Sequence, residues 1–281
     1  MDSMQFSRPS QAARRFVRFY GSRNLCIPAF TLVHPVTARA AHVLDFEFGG
    51  PIGIGSSDSA IIETAPDCAV IGVQTSQLHQ LLIREKIETF AVFLQPAALH
   101  LLFDLPVAEL TDRHYEASGV MGNAVLELRE RLGNTGSFHE RVHVADQFFQ
   151  SFQVAVSDTI EQAANKILRR HGVCRISELA HQAGWGIRQF ERLFQERIGA
   201  SPKLYARIVR YESSLEAKAF SPGTSWTAIA HRFGYHDQMH MIHDFQELSG
   251  ETPTGILAQA QSIFPAQTAA EHQESYNRLI L

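Results

Sequence analysis

The last third of this 281-residue chain repeats itself with a period of about 50 residues, and this repeat restricts the fold more than any other feature. The matched segments are Leu179-Ala180-His181 with Ile229-Ala230-His231, Gly184-Trp185 with Gly234-Tyr235, Phe194-Gln195-Glu196 with Phe245-Gln246-Glu247, and Gly199-Ala200-Ser201-Pro202 with Gly250-Glu251-Thr252-Pro253. The offset changes from 50 to 51 residues, so the second copy has one extra residue after its glycine. Agreement of this kind is improbable by chance, and the two copies are predicted to fold alike.

Each copy has the pattern of a helix, a tight turn and a second helix. The apolar residues of the first helix are spaced i, i+3, i+4, i+7, which places them on one face. Gly184 is predicted to end that helix, because glycine adopts positive φ without strain. The residues predicted to point inward are Ile176, Leu179, Ala180, Ala183, Phe190, Leu193 and Phe194 in the first copy, and Trp226, Ile229, Ala230, Phe233, Met241 and Phe245 in the second.

A long helix is predicted between the copies, in the segment PKLYARIVRYESSLEAKAF. Ser201 and Pro202 form a good helix start, since serine caps the first N–H groups and proline suits the first helical position. The apolar stripe of this helix consists of Leu204, Ile208, Tyr211 and Leu215. A rigid helix of this kind would let the second helix of each copy enter successive major-groove segments, roughly 34 Å apart on one face of DNA.

These motifs resemble the DNA-binding domain of the AraC/XylS family of transcription regulators over about 100 residues. The pattern A-x3-G-x9-F-x4-G-x-S-P and the segment AIAHRFGYHDQMHMIHDFQELSGETP carry the resemblance. The chain departs from the family pattern at Arg175 and Gly186, where a small polar cap is usual, and at Gly255-Ile256, where an aromatic residue and an arginine are usual. The resemblance implies an α+β chain: a mixed α/β sensor-like domain, then an all-α domain of two helix-turn-helix units joined by a long helix.

The outward residues early in each second helix are predicted to read DNA, at positions that the resemblance supports. Arginine pairs with guanine and glutamine with adenine, while methionine offers an apolar contact to a thymine methyl group. The predicted base-reading residues are Arg188, Gln189, Glu191 and Arg192 in the first unit and Gln238, Met239, His240 and His243 in the second. Lys203, Arg207 and Arg232 are predicted to contact phosphates. The alternative for each residue is a solvated surface side chain.

The charge distribution gives this prediction little support. The net charge is −4, of which residues 1–159 contribute −5, residues 160–261 contribute +2 and the tail −1. The basic surplus therefore belongs to the C-terminal segment, but it is small. Charge permits nucleic-acid binding without indicating it.

Histidine and cysteine positions suggest other chemistry only weakly. His236, His240 and His243 would align on a helix as a zinc site does, yet the family pattern places His236 in the turn, and no metal is expected. Cys26, Cys68 and Cys174 are far apart and lack the neighbours of a reactive or zinc-held thiol. We therefore expect no catalytic residue and no cofactor. A DNA-targeted enzyme, such as a repair methyltransferase fused to a regulator, stays an alternative, as does an interaction module that has lost DNA binding.

The N-terminal region is predicted to alternate strands and turns. Strand patterns occur in HVLDFEFGGPIGIG and AVIGVQTSQLHQLLI, and another strand should end near Gln95, before a short proline-initiated helix. Helices are predicted over 123–132 and 142–156. The stretch FAVFLQPAALHLLFDLPVAELTD resembles the N-terminal domain of one subset of AraC-like regulators whose ligand is unknown. His79, His100 and His114 could line a pocket, but ordinary polar roles are the alternative, and no effector site is assigned.

These observations predict a cytoplasmic transcription regulator without a membrane segment. The predicted domains are 1–135 for effector binding or dimerisation, a helical linker at 136–158, a DNA-binding domain at 159–261 with helix-turn-helix units 176–198 and 226–249, and a tail at 262–281. Double-stranded DNA is the expected partner, with RNA polymerase as a second partner if the protein is an activator. A small-molecule effector and a homodimer are left open.

Overall fold

The structure, a computed structural model, describes residues 3–56, 61–152 and 158–263. A β-rich N-terminal domain is followed by a helical C-terminal domain, so the predicted α+β order is confirmed. The strands are β1 (Ser3–Ser7), β2 (Val17–Val36), β3 (Val43–Glu47), β4 (Gly53–Ser56), β5 (Ile62–Thr64), β6 (Cys68–Ile71), β7 (His79–Leu94) and β8 (His114–Glu116). The helices of the N-terminal domain are α1 (Ala98–Phe103), α2 (Ala117–Met121), α3 (Ala124–Gly133) and α4 (Phe138–Gln150), with 3-10 turns at Ala13–Arg15 and Val107–Leu110.

The strands form one antiparallel sheet in the order β1-β2-β7-β3-β6-β8. Its centre is the pairing of the two long strands β2 and β7, which runs from Val17 opposite Leu94 to Val36 opposite His79. The other side of β7 is shared, because its first half pairs with β4 and its second half with β3. β5 continues the sheet beyond β4.

Large apolar side chains on one face of the sheet form the N-terminal core. Leu44 and Phe46 of β3 lie beside Phe90 and Val92 of β7, and all four are fully buried. The residues of the helices that cover them include Leu99, Leu128, Ala145 and Phe149. The Tyr20 hydroxyl donates a 2.6 Å hydrogen bond to Asp146, and this bond fixes α4 on β2.

The segment 136–158, predicted to be a linker, contains α4, and α4 belongs to the N-terminal core. Phe138, Ala145 and Phe149 are buried against the sheet, and Ser137 caps the helix by accepting a bond from the Glu140 N–H. The helix predicted over 142–156 therefore begins earlier than expected, while residues 153–157 lie outside the described residues. Its apolar face made α4 part of a core rather than a spacer.

The C-terminal domain consists of seven helices within the described residues. They are α5 (Thr159–Arg169), α6 (Ile176–Gln182), α7 (Ile187–Ile198), α8 (Pro202–Phe220), α9 (Trp226–Arg232), α10 (Gln238–Ser249) and α11 (Pro253–Ile263). Every residue predicted to point inward lies in or against one shared core. The tail beyond Ile263 lies outside the described residues.

The two domains share part of their packing. Ala38, Ala40, Val73 and Ala97 of the N-terminal domain lie in the same apolar cluster as the core of the helical domain. The N-terminal domain therefore packs on the C-terminal helices through small residues outside its strands, which permit close backbone approach. Among the helices that the structure describes, none has the length and hydropathy to cross a membrane.

Candidate nucleic-acid interface

The first helix-turn-helix unit consists of α6, a turn at Gly184 and α7. Gly184 has φ +76°, as a tight turn after a helix requires, and Gly199 ends α7 with φ +93°. On α7 the side chains of Phe190, Leu193 and Phe194 are buried in the core. The predicted reading residues Arg188, Gln189, Glu191 and Arg192 are all exposed on its opposite side.

The second unit, α9 and α10, repeats this arrangement with one difference in the turn. Gly234 and Gly250 have φ +68° and +72°, matching their counterparts in the first unit. α7 begins three residues after Gly184 and α10 four residues after Gly234, so the extra residue of the second copy lies in the turn. The predicted reading residues Gln238, Met239, His240 and His243 are exposed, and Met239 keeps 68% of its surface accessible.

The two reading helices begin differently. The Asp237 side chain caps α10 by accepting a 2.8 Å hydrogen bond from the His240 N–H, and this bond lowers the pKa of the carboxyl group. Gly186 at the corresponding place before α7 has no side chain to cap with. The first N–H groups of α7 therefore lack a side-chain acceptor and can serve an external anion.

The cationic side chains of this surface differ in how far they are neutralised. Arg192 pairs with Glu196 at 3.0 Å, and His243 lies 3.4 Å from Glu247. Arg188 has no ion pair among the described residues. Arg188 is thus the charge on α7 most available to a nucleic acid.

Of the three predicted phosphate contacts, two are exposed and one is not available. Lys203 and Arg232 are exposed. The Arg207 guanidinium instead pairs with Asp244, at 2.7 Å, and with Glu247. Since the Asp244 side chain is only 4% exposed, this pair ties α8 to α10, and a structural role replaces the phosphate role predicted for Arg207.

The sequence carried a signal for this pair that the prediction missed. Asp244 occupies the place that Leu193 has in the first copy, an inward position of the helix. A carboxylate at an inward position requires a partner because burial of an unpaired charge is costly. Arg207 on α8 is the partner of Asp244.

The histidines and cysteines have ordinary environments. His236 lies in the turn before α10, 3.0 Å from Asp237, and no group of three metal-binding side chains occurs among the described residues. His79 and His100 contact the backbone carbonyls of Asp112 and Leu105, and His114 packs edge-on against His79. Burial raises the pKa of the Cys68 thiol to about 12 and also raises that of Cys174, so neither is an activated nucleophile.

Comparison with known proteins identifies the helical region. A family model described as a helix-turn-helix domain matches residues 179–259, the stretch that holds α7, α8 and α10. These residues form an AraC-type helix-turn-helix domain. Domains of this type belong to DNA-binding transcription regulators. No curated protein sequence matches the chain.

A solved structure resembles nine-tenths of this chain in fold. An apo variant of ToxT from Vibrio cholerae superposes with a TM-score of 0.51 at 12% identity, over 90% of this chain and 99% of that chain. Wild-type ToxT from Vibrio cholerae with a bound unsaturated fatty acid gives 0.47 at 11% identity, over 90% and 95%. The AraC-like transcriptional activator CuxR gives 0.29 at 10% identity, over 76% and 86%. The superposition on apo ToxT, the one of these three with a TM-score above 0.5, shows that this chain has a ToxT-like fold.

Proposed function

We propose that the AraC-type domain binds a specific duplex DNA site through α7 and α10 and thereby controls transcription. The observation that carries this proposal is the shared orientation within the two units. Each helix buries its apolar side in one core around α8 and exposes a polar side beginning at its first turn. Two helices of this kind can enter successive major-groove segments on one face of the duplex.

The two units contribute differently in this proposal. Arg188, Gln189 and Arg192 supply bidentate hydrogen bonds to base edges, each worth about 1–3 kcal/mol of discrimination. Met239 and His240 offer fewer such bonds. The first unit therefore supplies most of the sequence discrimination, and the second mainly positions the protein.

Backbone contacts fix the register of the complex. The uncapped start of α7 binds one phosphate through its N–H groups, and Lys203 and Arg232 bind others. Because these contacts release counterions, the affinity falls steeply as salt rises.

The N-terminal domain controls this activity, as an effector-binding or dimerisation domain. The support is its contact with both reading helices: the Thr111 hydroxyl donates to the Gly199 carbonyl, and the Ala38 N–H donates to the Leu248 carbonyl. A ligand or second subunit that changes the conformation of the N-terminal domain would shift the reading helices through these hydrogen bonds. RNA polymerase is the further partner if the protein activates.

Genomic immunoprecipitation followed by gel shifts on the recovered site tests the proposal. The expected result is an enriched site whose affinity falls at least tenfold in Arg188→Ala and Arg192→Ala, with the melting temperature unchanged. Arg131→Ala, on α3 of the N-terminal domain, is the matched control. No enriched site, or equal affinity in all three variants, would refute it.

A further inference from the structure

A cleft of about 370 Å³ opens between the two helix-turn-helix units. It is formed by the α5–α6 loop and α6, by α8, and by the turn of the second unit at Gly234. Its lining includes three arginines, Arg170, Arg175 and Arg210, and one carboxylate, Glu178. The lining thus has two more positive charges than negative ones.

Two of the three arginines have no carboxylate partner among the described residues. Arg175 pairs with Glu178 at 3.6 Å. Arg170 is exposed, and neither it nor Arg210 forms an ion pair there. Arg207, one turn earlier on α8 than Arg210, is by contrast held by two carboxylates. Arg210 therefore keeps a cationic charge that carboxylates neutralise at Arg207 on the same helix.

Close packing holds the cleft in shape. A Cβ atom on Gly172 would lie 2.1 Å from the Ala206 carbonyl oxygen, so the loop reaches α8 only because this residue is glycine. Val173 contacts the turn at Gly234 from the other side. Arg210 stacks on the ring of Tyr235, 5.2 Å from its centroid, and its buried Nε has no hydrogen-bond acceptor. Burial raises the pKa of the Cys174 thiol, and the guanidiniums of Arg170 and Arg210 act to lower it.

We infer that this cleft binds a backbone phosphate of the DNA strand that crosses between the two units. The inference rests on the proposed function, because it requires α7 and α10 to lie in successive major-groove segments. A duplex bound in this way presents phosphates to the protein between the two helices. Guanidiniums match phosphate geometry, and the loop between the first two helices of a three-helix DNA-binding unit contacts the backbone in homeodomains.

Salt-dependent DNA affinity tests the inference on the full chain. The logarithm of the affinity falls linearly with the logarithm of the salt concentration. In R170Q/R210Q we expect the magnitude of this slope to be smaller by about 0.9, and the affinity at 0.1 M salt to be roughly eightfold lower. Sequence preference should not change, since phosphate contacts carry no base information. An unchanged slope with intact binding overturns this inference alone, whereas wild-type protein that binds no specific site overturns the proposed function first.

Single variants and a modified duplex keep the test valid if R210Q disturbs the Tyr235 stacking. Arg170→Gln removes an exposed side chain and should lower the slope without lowering the melting temperature. One methylphosphonate between the half-sites should weaken the wild type but not R170Q/R210Q, because both changes remove the same contact. R113Q/R131Q, which removes two charges from the N-terminal domain, is the matched control and should retain the wild-type slope.

A test with inorganic phosphate distinguishes binding of a DNA backbone phosphate from binding of a free phosphate ion. If phosphate alone raises the melting temperature of the wild type but not of R170Q/R210Q, and the DNA salt slope is equal in both, the cleft holds a free phosphate. The assignment to DNA is then wrong.

Discussion

The backbone N–H of Ala38 donates a 2.9 Å hydrogen bond to the carbonyl of Leu248, close to the C-terminal end of α10. The Thr111 hydroxyl makes the corresponding contact with Gly199 at the end of α7. Gly199 and Gly250 are equivalent positions of the repeat, and the side chain of Gln77 packs on Gly250. The N-terminal domain thus contacts both reading helices at the same relative place, at the end away from their exposed first turns.

Thr111→Val tests whether this contact holds α7. Loss of one such hydrogen bond should lower the free energy of unfolding by about 1 kcal/mol and speed hydrogen exchange at the last amides of α7. Thr135→Val is the matched control, since the Thr135 hydroxyl donates to the Leu132 carbonyl at the end of α3. Equal exchange at α7 in both variants would show that the contact does not hold the helix.

Substitutions in the Arg207 and Arg192 ion pairs should have different effects, the first mainly on stability and the second mainly on DNA affinity. Arg207→Gln leaves the buried Asp244 carboxylate without its partner, and urea denaturation should show a loss of roughly 2–3 kcal/mol, somewhat below the cost for a fully buried pair. Arg192→Gln breaks an exposed pair and should cost under about 1 kcal/mol, while DNA affinity drops. A stability loss of the same size in both variants would contradict the structural role of Arg207.

The repeat made the helical domain predictable, because apolar spacing, glycines and caps recur in register in both copies. Arg207 shows the limit: the inward position of Asp244 indicates that this carboxylate needs a cationic partner, but the distance in the structure is needed to show that the partner is Arg207, 37 residues earlier in the chain. The N-terminal domain was harder. β2 contains Arg18, Arg23 and two prolines and pairs with a strand about 60 residues away, so neither alternation nor a local turn marks it.

The segment that contacts the C-terminal domain was equally hidden. Ala38, Ala40 and Val73 are small residues in loops, and they are buried in the same cluster as the core of the C-terminal helices. The helix α4 differs: the glycines and polar residues before it indicate a linker, but its own apolar face marks a core helix. Long-range packing therefore decided the burial of the loop residues, whereas the apolar spacing within α4 already indicated the burial of that helix.

Because α7 and α10 expose different side chains, equivalent substitutions in the two helices should change the DNA sequence preference by different amounts. Arg188 and Met239 are equivalent, as the second residues of α7 and α10. The substitutions Arg188→Ala and Met239→Ala remove their side chains beyond Cβ. We expect Arg188→Ala to reduce discrimination at one guanine by about 1–3 kcal/mol, and Met239→Ala to change preference by under about 1 kcal/mol, because a methyl contact is weaker than a bidentate hydrogen bond. Selection from a random duplex pool measures both. A larger change in the Met239 variant would reverse the roles assigned to the two units.

The Glu212 carboxyl on α8 should make stability depend on pH. Burial raises its pKa to about 7, with Glu216 acting in the same direction, while the guanidiniums of Arg18 and Arg39 and the Ala40 N–H act in the opposite direction. Between its unfolded pKa, near 4.5, and about 7, the folded state holds a proton that the unfolded state has released. The free energy of unfolding therefore falls as pH rises through this window and the contribution is constant above it.

Glu212→Gln isolates this contribution, since glutamine is neutral at every pH and its side-chain oxygen can still accept from the Ala40 N–H. Relative to the wild type, the variant should gain stability from pH 5 to pH 8, by on the order of 2–3 kcal/mol, as about 1.4 kcal/mol per pKa unit implies. Asp45 and Glu47, whose pKa values burial also raises, contribute to both proteins and cancel in the difference. Urea denaturation at pH 5, 6, 7 and 8 measures it, with Glu130→Gln on the exposed side of α3 as the control. A difference between Glu212→Gln and wild type that stays constant across this range would mean that Glu212 is ionised in the folded protein throughout.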